Sequence, residues 1–145
     1  MKVMTVMGTR PEIIKLSRIM PLLDKHFDHT IVFTNQNFSP EMSSIFFKDM
    51  KVRKADYNLK IKTGQYGLEV ADIIKKSHDV MIKEKPDLLL LLGDVNSGLS
   101  SLSAANLGIK IAHIEAGMRS YDSRMPEERN RKIIDHLSSV NMVYT

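Results

Sequence analysis

A chain of 145 residues with 43% apolar and 26% charged side chains has the size and composition of one ordinary globular domain, which excludes a disordered or collagen-like class. The lack of cysteine excludes disulfides and thiolate chemistry, and the longest purely apolar run, 88–92, is far too short to cross a bilayer. A net charge of +4 raises nucleic acid as a partner, but the basic residues are scattered, with two clusters, Lys48, Lys51, Arg53, Lys54 and Lys75, Lys76, Lys83, Lys85. Neither group is interleaved with aromatic rings, so both read as solvated faces and no nucleic acid or membrane partner is expected. Met1-Lys2 leads straight into the first strand candidate, without the succession of a secretory signal, so the expected compartment is the cytoplasm.

In chain order, Val3, Met4, Val6 and Met7 predict a buried strand over 2–7. Ile13, Ile14, Leu16, Ile19, Met20, Leu22 and Leu23 recur at helical spacing and predict one helix over 11–25. Between them lies Gly8-Thr9-Arg10-Pro11-Glu12. Gly8 permits close backbone approach, Pro11 suits a first helical turn, and the free N–H groups of that turn are expected to face an anion outside the strand end. Arg10 and Lys15 add positive charge, so a phosphate or diphosphate is the anion suggested, although the loop is neither a Walker A nor a G-x-G-x-x-G motif. A strand follows at 30–34, a helix at 41–48, an ambiguous segment at 55–61 and a loop at 62–67. Then come a helix over 67–85, a strand over 88–92, a helix over 97–107, a strand over 109–114, a helix over 126–138 and a strand over 141–144. This alternation predicts an α/β domain with a doubly wound, mostly parallel sheet. The single domain, 1–145, stops in a strand candidate with nothing to cover its edge, and reads like half of a larger unit.

In such sheets ligands bind outside the carboxyl ends of the strands. Four polar loops fall there: Gly8 to Glu12, Asn35-Gln36-Asn37, Gly93-Asp94-Val95-Asn96-Ser97 and Glu115-Ala116-Gly117-Met118-Arg119-Ser120. Asp94 follows a strand apolar enough to be buried on both faces; because Asn96 or Ser97 can cap the next helix, its carboxylate is freed for acid/base work or for a sugar hydroxyl. His113 and Glu115, two apart on a strand, point to one face if the strand persists. His26, His29, His78 and His136 have no spacing that would complete a metal site with them, and His113 reads as a core or supporting histidine. Pro126 with Glu127 and Glu128 is what capping and dipole rules give at a helix start, strongly so for Glu128. Glu127 is placed to face Glu115 across the loop, where carboxylates sharing one pocket supply an acid and a base. Arg131 and Asp135, four apart, predict a structural ion pair.

Taken together, Gly8-Thr9-Arg10-Pro11-Glu12 with Lys15, Gly93-Asp94, His113-Ile114-Glu115-Ala116-Gly117-Met118-Arg119 and Pro126-Glu127-Glu128 with Asn130-Arg131 resemble the non-hydrolysing UDP-N-acetylglucosamine 2-epimerases, in order and over essentially the whole chain. The resemblance implies a GT-B architecture of two Rossmann-like domains with the active site in the cleft between them. This chain matches the N-terminal domain; the second domain, which supplies a catalytic histidine and most uridine and diphosphate contacts, has no counterpart in it. By the resemblance Asp94, Glu115 and Glu127 are the catalytic carboxylates, and Gly8, Thr9, Arg10, Lys15, His113 and Arg119 contact the substrate. The implied reaction eliminates UDP to a glycal and adds it back with inversion at C2, requiring no metal and no nicotinamide. The implied partner is a UDP-linked amino sugar, the full-length assembly a homodimer, and the role prokaryotic surface-polysaccharide synthesis. One wall of a cleft is expected to be inactive alone. Within the family, the stretch 124–136 and the Asp94-Val95-Asn96-Ser97 loop are closer to the branch acting on UDP-2-acetamido-2,6-dideoxy-L-talose, while Val95 and Asn37 stand where Thr and His are usual. Half of a GT-B glycosyltransferase and a stand-alone nucleotide-sugar binding module are the other readings.

Overall fold

The computed structural model describes residues 1–35, 45, 47–62 and 64–144; most of the predicted 41–48 helix, and Gln36-Asn37 of the second loop, lie outside them. The elements are β1 (Lys2–Met7), α1 (Arg10–Leu16), α2 (Met20–His26), β2 (Asp28–Phe33), β3 (Tyr57–Asn58), α3 (Tyr66–Glu84), β4 (Leu88–Leu92), a 3-10 helix (Asn96–Ser100), α4 (Ser101–Asn106), β5 (Lys110–Ala116), α5 (Pro126–Leu137) and β6 (Val140–Val143). The strands form one sheet in the order β3-β2-β1-β4-β5-β6, every pairing parallel. This is the doubly wound, Rossmann-like arrangement that the alternation predicts, and its order reverses between β1 and β4, where a crevice opens at the carboxyl ends.

The five leucines of β4 show why the sheet is covered twice. Leu89 and Leu91 pack with Met4, Val6, Met81 and Ile134 on the side of α3, α4 and α5. Leu90 joins Val3 and Ala112, and Leu92 joins Met7, Ile13, Leu16 and Met20, on the side of α1 and α2. A continuous apolar strand is the sequence form of burial on both faces. Among the described residues no helix is long and apolar enough to cross a membrane.

Three elements depart from expectation. The helix predicted over 11–25 is two helices, because Pro21 has no N–H and its ring would meet the Ser17 carbonyl in a continuous helix. The joint tightens instead, with Ser17 N and Ile19 N donating to Ile14 O and Leu16 O at 3.3 and 2.9 Å, and Ser17 Oγ donating to Ile14 O at 2.7 Å. The predicted 97–107 helix opens as a 3-10 turn before α4. The 55–61 segment yields only β3, two residues paired to β2 at the sheet edge.

Candidate functional site at the strand-order reversal

The loop after β1 begins the site, and here the geometry corrects the expectation of free N–H groups. Thr9 is the extended N-cap of α1, Pro11 sits in its first turn, and Glu12, the third helical residue, turns back into the protein and is buried. Its Oε2 accepts from Gly8 N (2.9 Å), Thr9 N (2.8 Å) and Thr9 Oγ1 (2.9 Å), and its Oε1 accepts from Ser97 Oγ at 2.8 Å. An internal carboxylate therefore occupies the donors assigned to an outside anion. Burial pushes the Glu12 carboxyl up, and these neutral donors offset only part of that. The positively charged side chains of Arg10 and Lys15 both lie on the exposed side of α1.

Across the reversal, Asp94 follows β4. The N-cap of the 3-10 helix is the extended Val95 and no side chain caps it, so the cap expected of Asn96 or Ser97 is not made, their side chains binding Glu69 and Glu12 instead; Asp94 is nonetheless outside the cap. Its carboxylate pairs with the Arg131 guanidinium of α5, and Arg131 also donates to Glu128 at 3.0 Å. The predicted Arg131–Asp135 pair is thus replaced: Arg131 turns to the Asp94 loop, and Asp135 binds His113 and Arg119. Asn130 Nδ2 donates to the Asp94 carbonyl and to Asn96 Oδ1, both at 3.0 Å, and Asn96 donates to Glu69 Oε1 at 2.8 Å.

The end of β5 overturns the shared face expected of His113 and Glu115. Glu115 has φ +64°, and the pairing with β6 shifts register between Ile114 and Ala116. This irregularity interrupts the alternation of side chains. His113 is buried toward α5, its Nδ1 2.8 Å from Asp135 Oδ1 and its Nε2 2.6 Å from the Gly93 carbonyl oxygen. Glu115 turns to the α1 side, where Lys15 Nζ stands 2.6 Å from Oε1 and the Tyr144 hydroxyl donates to the same oxygen at 2.5 Å. Burial pushes the Glu115 carboxyl up, but the Lys15 and Tyr144 donors and the nearby charges hold it below its ordinary value. The same contact with Glu115 raises Lys15, and the charge of Asp94 adds to it.

The remaining predicted residues divide. Arg119 donates to Asp135 Oδ2 at 2.5 Å, and the Gly117 N–H reaches the same oxygen at 3.1 Å, anchoring the loop after β5. Glu128 is buried and accepts from Ser120 N at 2.9 Å, which makes it the structural first-turn carboxylate expected. Glu127 is exposed and makes no hydrogen bond or ion pair with the described residues. A cavity of about 590 Å³ lies at the other end of the sheet, at the amino ends of the strands, lined by Met81, Pro86, Leu88 and Ile109, and contains none of these groups. Among the described residues no cluster of three or more His, Asp or Glu could hold a metal ion.

A family model described as UDP-N-acetylglucosamine 2-epimerase matches residues 22–145. The chain belongs to the UDP-N-acetylglucosamine 2-epimerase family. It is 46% identical over 139 residues to the UDP-N-acetylglucosamine 2-epimerase of Methanococcus maripaludis, covering 94% of this chain and 37% of that protein. It is 41% identical to the UDP-2,3-diacetamido-2,3-dideoxy-D-glucuronate 2-epimerase of Pseudomonas aeruginosa, covering 97% of this chain and 40% of that one. The crystal structure of Methanocaldococcus jannaschii UDP-GlcNAc 2-epimerase with UDP-GlcNAc and UDP superposes with a TM-score of 0.91 at 44% identity, over 96% of this chain and 39% of that one. The chain spans about 40% of the length of the curated relatives it matches.

On this family scaffold, the motif residues Lys15, Asp94 and Glu115 meet at one edge of the sheet, while Glu12, His113 and Glu128 support that edge from within. Sequence reasoning missed the Glu12–Ser97 clasp, the Arg131–Asp94 pair and Tyr144. The first had a signal, since a glutamate three residues after a threonine N-cap is the capping-box pattern. Tyr144 had none.

Proposed function

We propose that this chain forms one wall of a site that inverts C2 of a UDP-linked 2-acetamido sugar, as the N-terminal half of a two-domain GT-B epimerase. The observation that carries the reading is the meeting of Lys15 with Glu115, beside Asp94, at the strand-order reversal. C2 of the sugar is not next to a carbonyl, so simple enolisation cannot release its proton. Elimination can: a carboxylate takes the C2 proton, the C–H pair becomes the C1=C2 bond of a glycal, and the C1–O pair leaves on the diphosphate of UDP. Re-addition delivers a proton to the opposite face of C2. Glu115, held ionised by Lys15 and Tyr144, suits the base. Asp94, oriented by Arg131, suits a contact to the ring, and Glu127, exposed and without a partner among the described residues, suits a second acid/base. Arg10 and Lys15 hold the leaving diphosphate. Gly8, Thr9, His113 and Arg119 shape this surface from behind, through Glu12, Gly93 and Asp135.

The full-length protein is read as a cytoplasmic homodimer acting in surface-polysaccharide precursor synthesis; exposed Leu102 and Ile133 on α4 and α5 supply an apolar face for a second copy. In deuterated water the full-length protein is expected to place deuterium at C2 of UDP-N-acetylglucosamine. Asp94→Asn, Glu115→Gln and Glu127→Gln are each expected to lower kcat by roughly 10²-fold or more with folding intact. No label at C2 sinks the reading, and normal turnover of Glu127→Gln removes that residue from it. A panel of UDP-2-acetamido sugars varied at C3 and C6, the 2,6-dideoxy-L-talose included, assigns the natural sugar.

A further inference from the structure

Glu115 is held in an unusual way. Its two donors among the described residues, Lys15 Nζ at 2.6 Å and the Tyr144 hydroxyl at 2.5 Å, both fall on Oε1. They approach from different elements, α1 and the residue that follows β6. Oε2 accepts from no described residue and lies 3.7 Å from the point where a Cβ on Gly93 would stand. Gly93 has φ +75°, a conformation that favours glycine, and its missing side chain leaves room in front of that oxygen. A carboxylate with two donors on one oxygen cannot turn about its Cγ–Cδ bond without losing both. The backbone beneath it is equally constrained, since Glu115 is a non-glycine residue at φ +64°.

We propose that Tyr144 is a positioning residue that, together with Lys15, pins Oε1 of Glu115 and so presents Oε2 as the oxygen that exchanges the C2 proton. The role rests on the epimerase reading above. Proton transfer to carbon is sensitive to sub-ångström placement of the base, and a two-point anchor supplies that placement. Lys15 alone is a weaker anchor, because it is about half exposed, with relative accessibility 48% against 11% for Glu115. The phenol adds a second, directional constraint. It is also distinct from the diphosphate contacts, so its loss bears on the chemical step more than on binding.

The test is Tyr144→Phe in the full-length protein, which keeps the ring at an exposed position and removes only the hydroxyl. C2 deuterium incorporation is measured against substrate concentration and pH, beside thermal unfolding. The expected result is a kcat lower by roughly ten- to a hundredfold, the scale of one hydrogen bond to a charged group, with KM within about twofold and Tm unchanged. The acid limb of kcat/KM moves to higher pH, because Glu115 keeps its neighbours Lys15 of α1 and His113 of β5, with Asp94 after β4 acting on Lys15, but loses a donor to its ionised form. Exchange by the unsubstituted protein with unchanged Tyr144→Phe kinetics and pH profile overturns the role of Tyr144 alone. Absence of C2 exchange in the unsubstituted protein overturns the epimerase reading and this role with it.

Discussion

Glu12 and Glu128 are both enclosed by the protein, yet they are driven in opposite directions, and the difference lies in their donors. Glu12 receives only neutral groups, two backbone N–H and two hydroxyls, and burial wins: its carboxyl rises. Glu128 receives the Ser120 N–H at 2.9 Å and faces Arg131 and Lys132 at 3.0 and 3.3 Å. The Ser120 N–H and the Lys132 ammonium bring its carboxyl down to about 2 against the cost of burial. A carboxyl depressed in the folded state contributes stability that is complete above the unfolded value, near 4.5, and disappears as pH falls toward about 2. Glu128→Gln is therefore expected to lower Tm at pH 6, with the gap from the unsubstituted chain closing as pH falls from 4.5 to 2. Melting curves across that range check it; a gap independent of pH would mean that shape, and not charge, is what Glu128 provides. At this scale the sequence named Asp94 and Glu115 but not what holds them. Helical spacing, a local rule, predicts Asp135 as the partner of Arg131, whereas its real partners include a carboxylate 37 positions away.

Element contacts decide how close the two sides of the site approach. The 3-10 helix after β4 carries Gly98 against α5, and a Cβ at Gly98 would lie 2.4 Å from Ile134 Cδ1 and 3.3 Å from its Cγ1. Since Ile134 is fully buried, its side chain has little room to yield. Gly98→Ala is expected to destabilise by about 1–3 kcal/mol through overpacking. Ile134→Val removes Cδ1, so the same Gly98 substitution should cost measurably less in that background; denaturant unfolding of the four-member cycle reads the coupling, and additive costs would refute the contact. This packing brings Asn130 and Arg131 onto the Asp94 loop, so loosening it is a route to a misplaced carboxylate. The helix pattern over 11–25 was legible in its apolar spacing but its break was not, since Ile19 and Met20 keep the apolar rhythm through the joint that Pro21 forces.

At the scale of the whole molecule, the strand order places every candidate group on one open edge and leaves that edge without a facing wall among the described residues. Elimination at C2 requires groups on both sides of the sugar, so the 145-residue chain by itself is expected to fold and to leave C2 of UDP-N-acetylglucosamine unlabelled in deuterated water. Nuclear magnetic resonance of the recovered sugar checks this, and deuterium at C2 would count against it. The amino-acid sequence determined the α/β class, the order of strands and helices, and the loops that carry Asp94 and Glu115. These follow from apolar periodicity and turn chemistry, which are read within a few residues. Only the tertiary structure decided that Glu12 clasps Ser97 across 85 residues, that Glu115 turns away from His113, and that Lys15 and Tyr144 share one oxygen. Those contacts depend on which strands become neighbours and on a backbone irregularity at Glu115, and both are settled by the packing of the assembled sheet, where local spacing carries no information.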